Sequence, residues 1–321
     1  MTFKQDWEKT EQLSLPHTMV EAMLKQAFSN KKLSSYSVIS GGCTNLNIKI
    51  ILEENLAFIL RVYLCDKGAA YREQALGRLL KHTVPLPQVH YIGDYEEYRF
   101  ALTEFISGMT LRELLLSKIP HDLGAIMVKT GEMFAKIQAH QFAEPGFFDN
   151  DLKISEKLPE NAYIVFAEQS LSHLTVNDCL CSNMITRIKR HFHALKQFLP
   201  NEHESHLVHA DFDPANILVN KRDEEWIITG VLDWEFAFSG SPLWDMANML
   251  RYSHQMPAIF ETSFIQGLAT GFTLPKDWKV TIYLLNIMSL VDCLTRCTKM
   301  LRPKQCADIT ALIHYFDKQL S

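Results

Sequence analysis

The sequence predicts an α+β chain of two lobes, a small β-rich lobe with one key helix and a larger, mainly helical lobe that carries a hairpin. Three observations point there. Short apolar stretches separated by turn residues fill the first third. Helical spacing of apolar residues dominates after residue 107. A single strand-rich island then returns at residues 206–234.

Each element has a local reason. An N-terminal helix is expected over residues 18–28. Strands follow at 36–40, 47–52 and 56–63, the last two divided by the polar turn Glu53, Glu54, Asn55. Leu76, Leu79 and Leu80 share one face of a helix over 68–82, which Pro85 and Pro87 stop. Strands at 89–92 and 98–106 are joined through the acidic turn at 94–97. Beyond Gly108, Leu123, Ile126, Met127, Met133, Phe134 and Ile137 line one long helix, and Ile185, Ile188, Phe192 and Leu195 another. Two more helices are expected over 278–300 and 307–320. The lobes divide at 1–106 and 107–321, with a joint at about 103–108, and a cleft between lobes is a common ligand site.

Composition narrows the class. A chain of 321 residues corresponds to about two domains. Hydrophobic residues at 47% and charged residues at 21% exclude a disordered chain. The 32 basic and 37 acidic residues leave a net charge of −5, a poor balance for a general nucleic-acid binder. No secretory signal stands out at the N-terminus. The apolar stretch 280–294 contains Asn286 and Asp292 and reads as a buried helix, not a membrane span. Seven cysteines, an odd number without zinc-finger spacing, fit a reducing compartment and are expected to be buried or inert thiols. A cytoplasmic location is the expectation, with no membrane, nucleic-acid or obligatory protein partner.

The island holds the chemistry. It runs from His206 through His209, Asp211, Asp213 and Asn216 into an apolar strand, turns at a polar loop, and returns through a second apolar strand to Asp233, Trp234 and Glu235. Two strands around a turn bring their outer ends together, so Asn216 and Asp233 become neighbours with Asp211 in the loop beside them. That arrangement suits phosphoryl transfer. Mg²⁺ takes hard oxygen ligands, which Asp233 and the Asn216 amide oxygen supply, and Asp211 remains to orient an acceptor hydroxyl and take its proton. His209 is expected to hydrogen-bond the loop backbone.

The first third supplies the nucleotide half. Gly41, Gly42, Cys43, Thr44 and Asn45 join two strands, either as a plain hairpin turn or as a loop whose backbone approaches phosphates. Arg61 is a cation inside an apolar strand and needs a partner. Glu73 on the next helix is one, and the nucleotide phosphates are another. The joint, residues 103–108, offers main-chain groups to a purine edge.

Arg61 with Glu73, the loop His209–Asp211–Asn216, Asp233–Trp234–Glu235 and the run Gly240 to Ala247 resemble the aminoglycoside phosphotransferase family, small-molecule kinases of protein-kinase-like fold. The resemblance spans about 38–253. It implies a kinase that moves the γ-phosphate of ATP or GTP to a hydroxyl of a small acceptor. Asp211 is then the catalytic base, and Asn216 and Asp233 bind Mg²⁺. Gly41, Gly42, Thr44 and Asn45 cover the triphosphate, Asp245 braces the catalytic loop, and Glu104 and Ile106 are hinge contacts. Arg61 stands where many kinases carry Lys. No Arg follows His209, no Phe-Gly follows Asp233 and no Ala-Pro-Glu segment is present, which argues against a protein substrate.

The acceptor stays open among aminoglycosides, choline or ethanolamine, sugars and amino alcohols. Asp213, Glu235 and Trp244, with Tyr252 and Trp278, are pocket candidates by proximity in sequence. A nucleotide-binding pseudokinase without turnover is the alternative from another class.

Overall fold

A computed structural model describes residues 3–7, 14–39 and 45–321. The small lobe begins with α1 (His17–Ala27) and continues through β1 (Leu33–Val38), β2 (Leu46–Leu52), β3 (Ala57–Tyr63), α2 (Ala69–Leu80), β4 (Val89–Tyr95) and β5 (Tyr98–Glu104). The five strands form one antiparallel sheet in the order β1-β2-β3-β5-β4. Alternation explains it. Leu46, Ile48, Ile50 and Leu52 of β2 are buried on one face, where Val20, Met23 and Leu24 of α1 meet Leu60, Val62, Phe100 and Leu102. β1 starts three residues earlier than expected, because pairing with β2 begins at Leu33 opposite Leu52.

The large lobe contains β6 (Met109–Thr110), α3 (Leu111–Leu116), α4 (Leu123–Gln138), β7 (Gly146–Phe148), β8 (Ile154–Lys157), α5 (Ala162–Leu171), α6 (Leu174–Cys179) and α7 (Ser182–Ala194). It continues with β9 (His206–Val208), β10 (Ile217–Arg222), β11 (Glu225–Val231), β12 (Phe238–Gly240), α8 (Leu243–Leu250), α9 (Ile259–Leu268), α10 (Trp278–Thr295) and α11 (Pro303–Leu320). The strands of two to four residues were not expected, since pieces that short carry no periodicity. α11 starts earlier than the sequence suggested because Pro303 takes the first helical position, where its missing N–H costs nothing.

α4 and α9 cross at Gly131 and Gly267. A Cβ on Gly267 would fall 2.0 Å from the Val128 carbonyl, so no other residue fits that crossing. α10 has a mean hydropathy of 1.2 over 18 residues and by length and composition could cross a membrane. It is instead packed among α5, α6, α8 and α11, as its two interrupting polar residues implied. Asn286 is fully buried there and donates to the Ala247 and Ile282 carbonyls.

Cys65, in the loop after β3, and Cys181, at the start of α7, are exposed free thiols. One expectation is corrected here. The N-terminal residues 3–7 do not belong to the small lobe. They lie on the large one, with Phe3 and Trp7 buried in its core.

Candidate active site

The hairpin fixes the first geometry. β10 and β11 pair antiparallel from Ile217 opposite Val231 to Arg222 opposite Glu225. Asp223 and Glu224 turn the tip with φ of 47° and 69°, the left-handed pair that a two-residue hairpin needs. At the open end the Leu232 N–H donates to the Asn216 carbonyl at 2.8 Å, which sets Asn216 and Asp233 side by side. On its other edge β10 pairs with β6, so the joint between the lobes is stitched to the hairpin. Gly108 permits this at φ 151°; a Cβ there would lie 2.7 Å from the Val219 carbonyl.

The loop from 209 to 216 is held from beneath. Asp245, fully buried at the start of α8, accepts from the His209 N–H and the Ala210 N–H, each at 2.8 Å, and from Gln138 Nε2 at 3.2 Å. Burial outweighs these donors and pushes its carboxyl up to about 7. Asn248 Nδ2 donates to the Ala210 carbonyl at 2.7 Å, and Arg251 fixes Asn248 Oδ1 at 2.5 Å while donating to Asn286 Oδ1 at 2.9 Å. His209 is buried against Trp234, ring centroids 4.4 Å apart. Its Nε2 donates to the Leu232 carbonyl at 2.8 Å, and its Nδ1 accepts the Asp211 N–H at 3.2 Å. Burial lowers its pKa, so the ring is neutral and works as a strut between the loop and the hairpin. Ala210 and Asp233 both adopt left-handed φ, 70° and 64°. Such strained backbone gathers at functional positions.

Asp211 lies in this loop beside Asn216, which lines the cleft. Asn216 Nδ2 donates to Asp211 Oδ2 and to the Asp211 carbonyl, both at 2.9 Å. Fixing the amide nitrogen on Asp211 turns Asn216 Oδ1 the other way. Asp211 Oδ1 lies 2.5 Å from Lys4 Nζ, and Lys4 also pairs with Asp213. Burial alone would raise the Asp211 pKa; the Lys4 ammonium reverses that and holds the carboxyl below its ordinary range.

Arg61 faces Asp233 from the opposite wall. Its guanidinium lies 2.5 Å from Asp233 Oδ1, 3.3 Å from Glu73 Oε1 and 3.8 Å from Glu235 Oε1. Tyr63 OH donates to the second oxygen of Glu73. Burial and the neighbouring Asp233 push the Glu235 carboxyl up to about 8, with Arg61 opposing. Between the walls is a cleft of about 650 Å³, within the usual range for a small-molecule site. Ile39, Ile59, Leu86 and Val89 line it from above, Leu218 and Leu232 from below, and Glu104 to Ile106 along the back.

Residues 35–280 match the sequence profile of the phosphotransferase enzyme family. The chain belongs to that family. It is a small-molecule kinase, a phosphotransferase acting on hydroxyl groups. No curated protein sequence matches it. Among solved structures, aminoglycoside phosphotransferase APH(4)-Ia superposes with a TM-score of 0.72 at 20% identity, covering 94% of this chain and 99% of that one. A ternary complex of a thermostable mutant of that enzyme with ADP and hygromycin B gives 0.71 at 20% identity, covering 93% and 98%. The GDP and kanamycin complex of APH(2")-IIia gives 0.72 at 16% identity, covering 94% and 98%. These likenesses show that the phosphotransferase has the same protein-kinase-like fold.

The phosphotransferase brings Asn216, Asp233, Arg61 and Glu73 together around one cleft, with Glu104 and Ile106 in its lining and Asp211 bonded to Asn216 at its edge. Gly41, Gly42 and Thr44 lie outside the described residues. Asn45 is a correction: it is buried, its Nδ2 donating to Glu235 at 2.7 Å and its Oδ1 accepting from Leu64, and it ties β2 to the large lobe instead of lining the cleft. Glu235 is another. Its carboxylate points to Arg61 and Asn45 on the small-lobe side, not to an acceptor. Trp244 packs edge-on to Phe238 and tilted on Tyr163, in the core. Trp278 heads α10 beneath Lys279. Asp213 stays beside Asp211, with its Oδ1 accepting the Ala215 N–H at 2.7 Å. The residues missed were Lys4, Gln138, Asn248 and Arg251. Asn286 did signal itself, as a polar break in an apolar stretch.

Proposed function

We propose that the enzyme transfers the γ-phosphate of ATP or GTP, with Mg²⁺, to a hydroxyl of a small cationic acceptor, with Asp211 as the base. The observation that carries this reading is the shared bond between Asn216 and Asp211 next to Asp233. One amide orients the base and at the same time turns its oxygen away from it, toward the metal position. Asn216 Oδ1 and the Asp233 carboxylate are two hard oxygens on adjoining strand ends, a donor set that fits Mg²⁺ completed by phosphate oxygens and water. Among the described residues no group of three or more His, Cys, Asp or Glu offers a richer metal site. The ion, when bound, neutralises charge between the transferring phosphate oxygens.

The chain's own residues do the remaining work. The apolar walls of the cleft take the base of the nucleotide, and the main chain at 104–106 meets its edge. Arg61 exchanges part of its carboxylate partnership for phosphate oxygens, kept in place by Glu73. Asp211 receives the acceptor proton at Oδ1 while Asn216 holds Oδ2. Two carboxylates, Asp211 and Asp213, on the acceptor side favour a positively charged compound. This supports the aminoglycoside and amino-alcohol classes over neutral sugars.

The test is an acceptor screen with γ-labelled ATP and GTP, including aminoglycosides, choline, amino alcohols and sugars. Asp211→Asn is expected to reduce turnover by at least ~10²-fold while leaving nucleotide affinity and melting temperature near the parent. A variant that stays active excludes Asp211 as the base. Asp233→Ala is expected to weaken Mg-nucleotide binding in calorimetry; unchanged affinity removes Asp233 from the metal site.

A further inference from the structure

Asp211 has two oxygens, and both are occupied. Oδ2 takes Asn216, and Oδ1 takes the ammonium of Lys4 at 2.5 Å. Lys4 Nζ therefore stands where an acceptor hydroxyl must approach its base, and its second partner is Asp213, the other acidic group on that side. The segment that delivers it is well seated. Phe3 is 2% exposed and packs edge-on to Tyr252, ring centroids 5.3 Å apart, and against Phe260. The Lys4 N–H donates to Tyr252 OH at 3.3 Å, and Trp7 Nε1 donates to Asp308 Oδ2 at 2.8 Å. Gln5, between them, reaches the lining of the nucleotide cleft.

The seating is also strained. Phe3 and Lys4 are consecutive non-glycine residues with left-handed φ, 42° and 63°. That conformation is unfavourable for L-residues and persists only where surrounding contacts enforce it. Here the contacts that enforce it are the aromatic seat and the two carboxylates. Lys4 is chemically an alkylammonium, the same group a cationic acceptor would present to Asp211 and Asp213.

We propose that residues 3–7 are an intramolecular plug of the acceptor subsite, with Lys4 standing in for an acceptor ammonium, and that turnover requires the plug to leave. The inference rests on the reading of Asp211 as the base. A cationic acceptor and the plug compete for one pair of carboxylates, and the strain at Phe3–Lys4 favours release once the ammonium is displaced.

Two measurements on the full chain test this. Acceptor-free hydrolysis of MgATP and MgGTP, followed as phosphate release, reads access of water to the base. Lys4→Met is expected to raise it roughly tenfold, the value of one charge-assisted hydrogen bond. Lys4→Arg should keep the parental rate. Phe3→Ala, which loosens the seat and keeps the ammonium, should raise the rate in the same direction. A Lys4→Met rate at or below the parent overturns the plug, and a loss that Lys4→Arg restores assigns Lys4 to the chemistry instead. Adding Asp211→Asn to Lys4→Met separates the two readings, since a raised rate that survives it removes Asp211 as the base. The second measurement needs no turnover. Reductive methylation read by mass spectrometry should find Lys4 slow beside the exposed Lys25 in the parent, and faster in Phe3→Ala or with kanamycin added. Lys4 reacting as fast as Lys25 in the parent overturns the plug.

Discussion

Arg61 and Lys4 each meet a set of carboxylates, but they reach them by different routes. Arg61 is part of β3, in the middle of the small-lobe sheet, paired across both neighbouring strands. It touches Glu73, Asp233 and Glu235, and its backbone is fixed by strands on both sides. Lys4 reaches Asp211 and Asp213 from outside the described sheets, directly ahead of a single 3₁₀ turn at Gln5–Trp7. On the proposed reading, the nucleotide wall thus has a permanent counter-ion and the acceptor wall a replaceable one. A donor site must hold the same triphosphate geometry at every turnover, whereas an acceptor site must open to a visiting cation.

The sharpest break of that contrast is Arg61→Met. It strands three carboxylates, Glu235 among them buried, and should cost about 3 kcal/mol, with nucleotide binding lost. Chemical denaturation should show this fall to be beyond that of Lys4→Met, which strands two carboxylates instead of three. Equal losses would erase the distinction. Next comes Asp245, which braces the acceptor wall. Its carboxyl is raised from 3.8 to about 7 by burial, so the folded state binds a proton that the unfolded state releases. Stability from this group is therefore greatest at low pH and declines as pH rises through that window. Asp245→Asn should flatten the decline in a melting-temperature profile; an unchanged slope assigns it to another group. The smallest effect is expected at the joint between the walls. Thr110 and Glu113 form a reciprocal cap on α3, at 3.1 Å and 2.6 Å, and Thr110→Ala should cost about 1 kcal/mol in chemical denaturation.

The nucleotide wall was the more legible of the two. Arg61 announces itself as a cation in an apolar strand, and Asn216 and Asp233 follow from a hairpin whose two strands and turn lie within one stretch of sequence. Periodicity likewise carried β2, β3, α2 and α4 to within a residue or two. What could not be read are contacts made across long separations between ordinary residues. Lys4 meets Asp211 across 207 positions, and Gln138 meets Asp245 across 107. A lysine near an N-terminus looks like any solvated charge. Glu235 and Trp244 erred for the converse reason. Closeness in sequence to Asp233 and Asp245 says nothing about which face a side chain takes once the chain turns through the left-handed Asp233.

The hairpin has a practical side. Its register is held at the cleft end, by the Leu232–Asn216 bond and by the irregularity between Leu218 and Val219, while Asp223 and Glu224 stand exposed at the opposite tip. A reporter peptide or a dye spliced between those two residues would project into solvent, leaving the ends that face the nucleotide where they are. That makes the tip a handle for immobilising or labelling this kinase while it works.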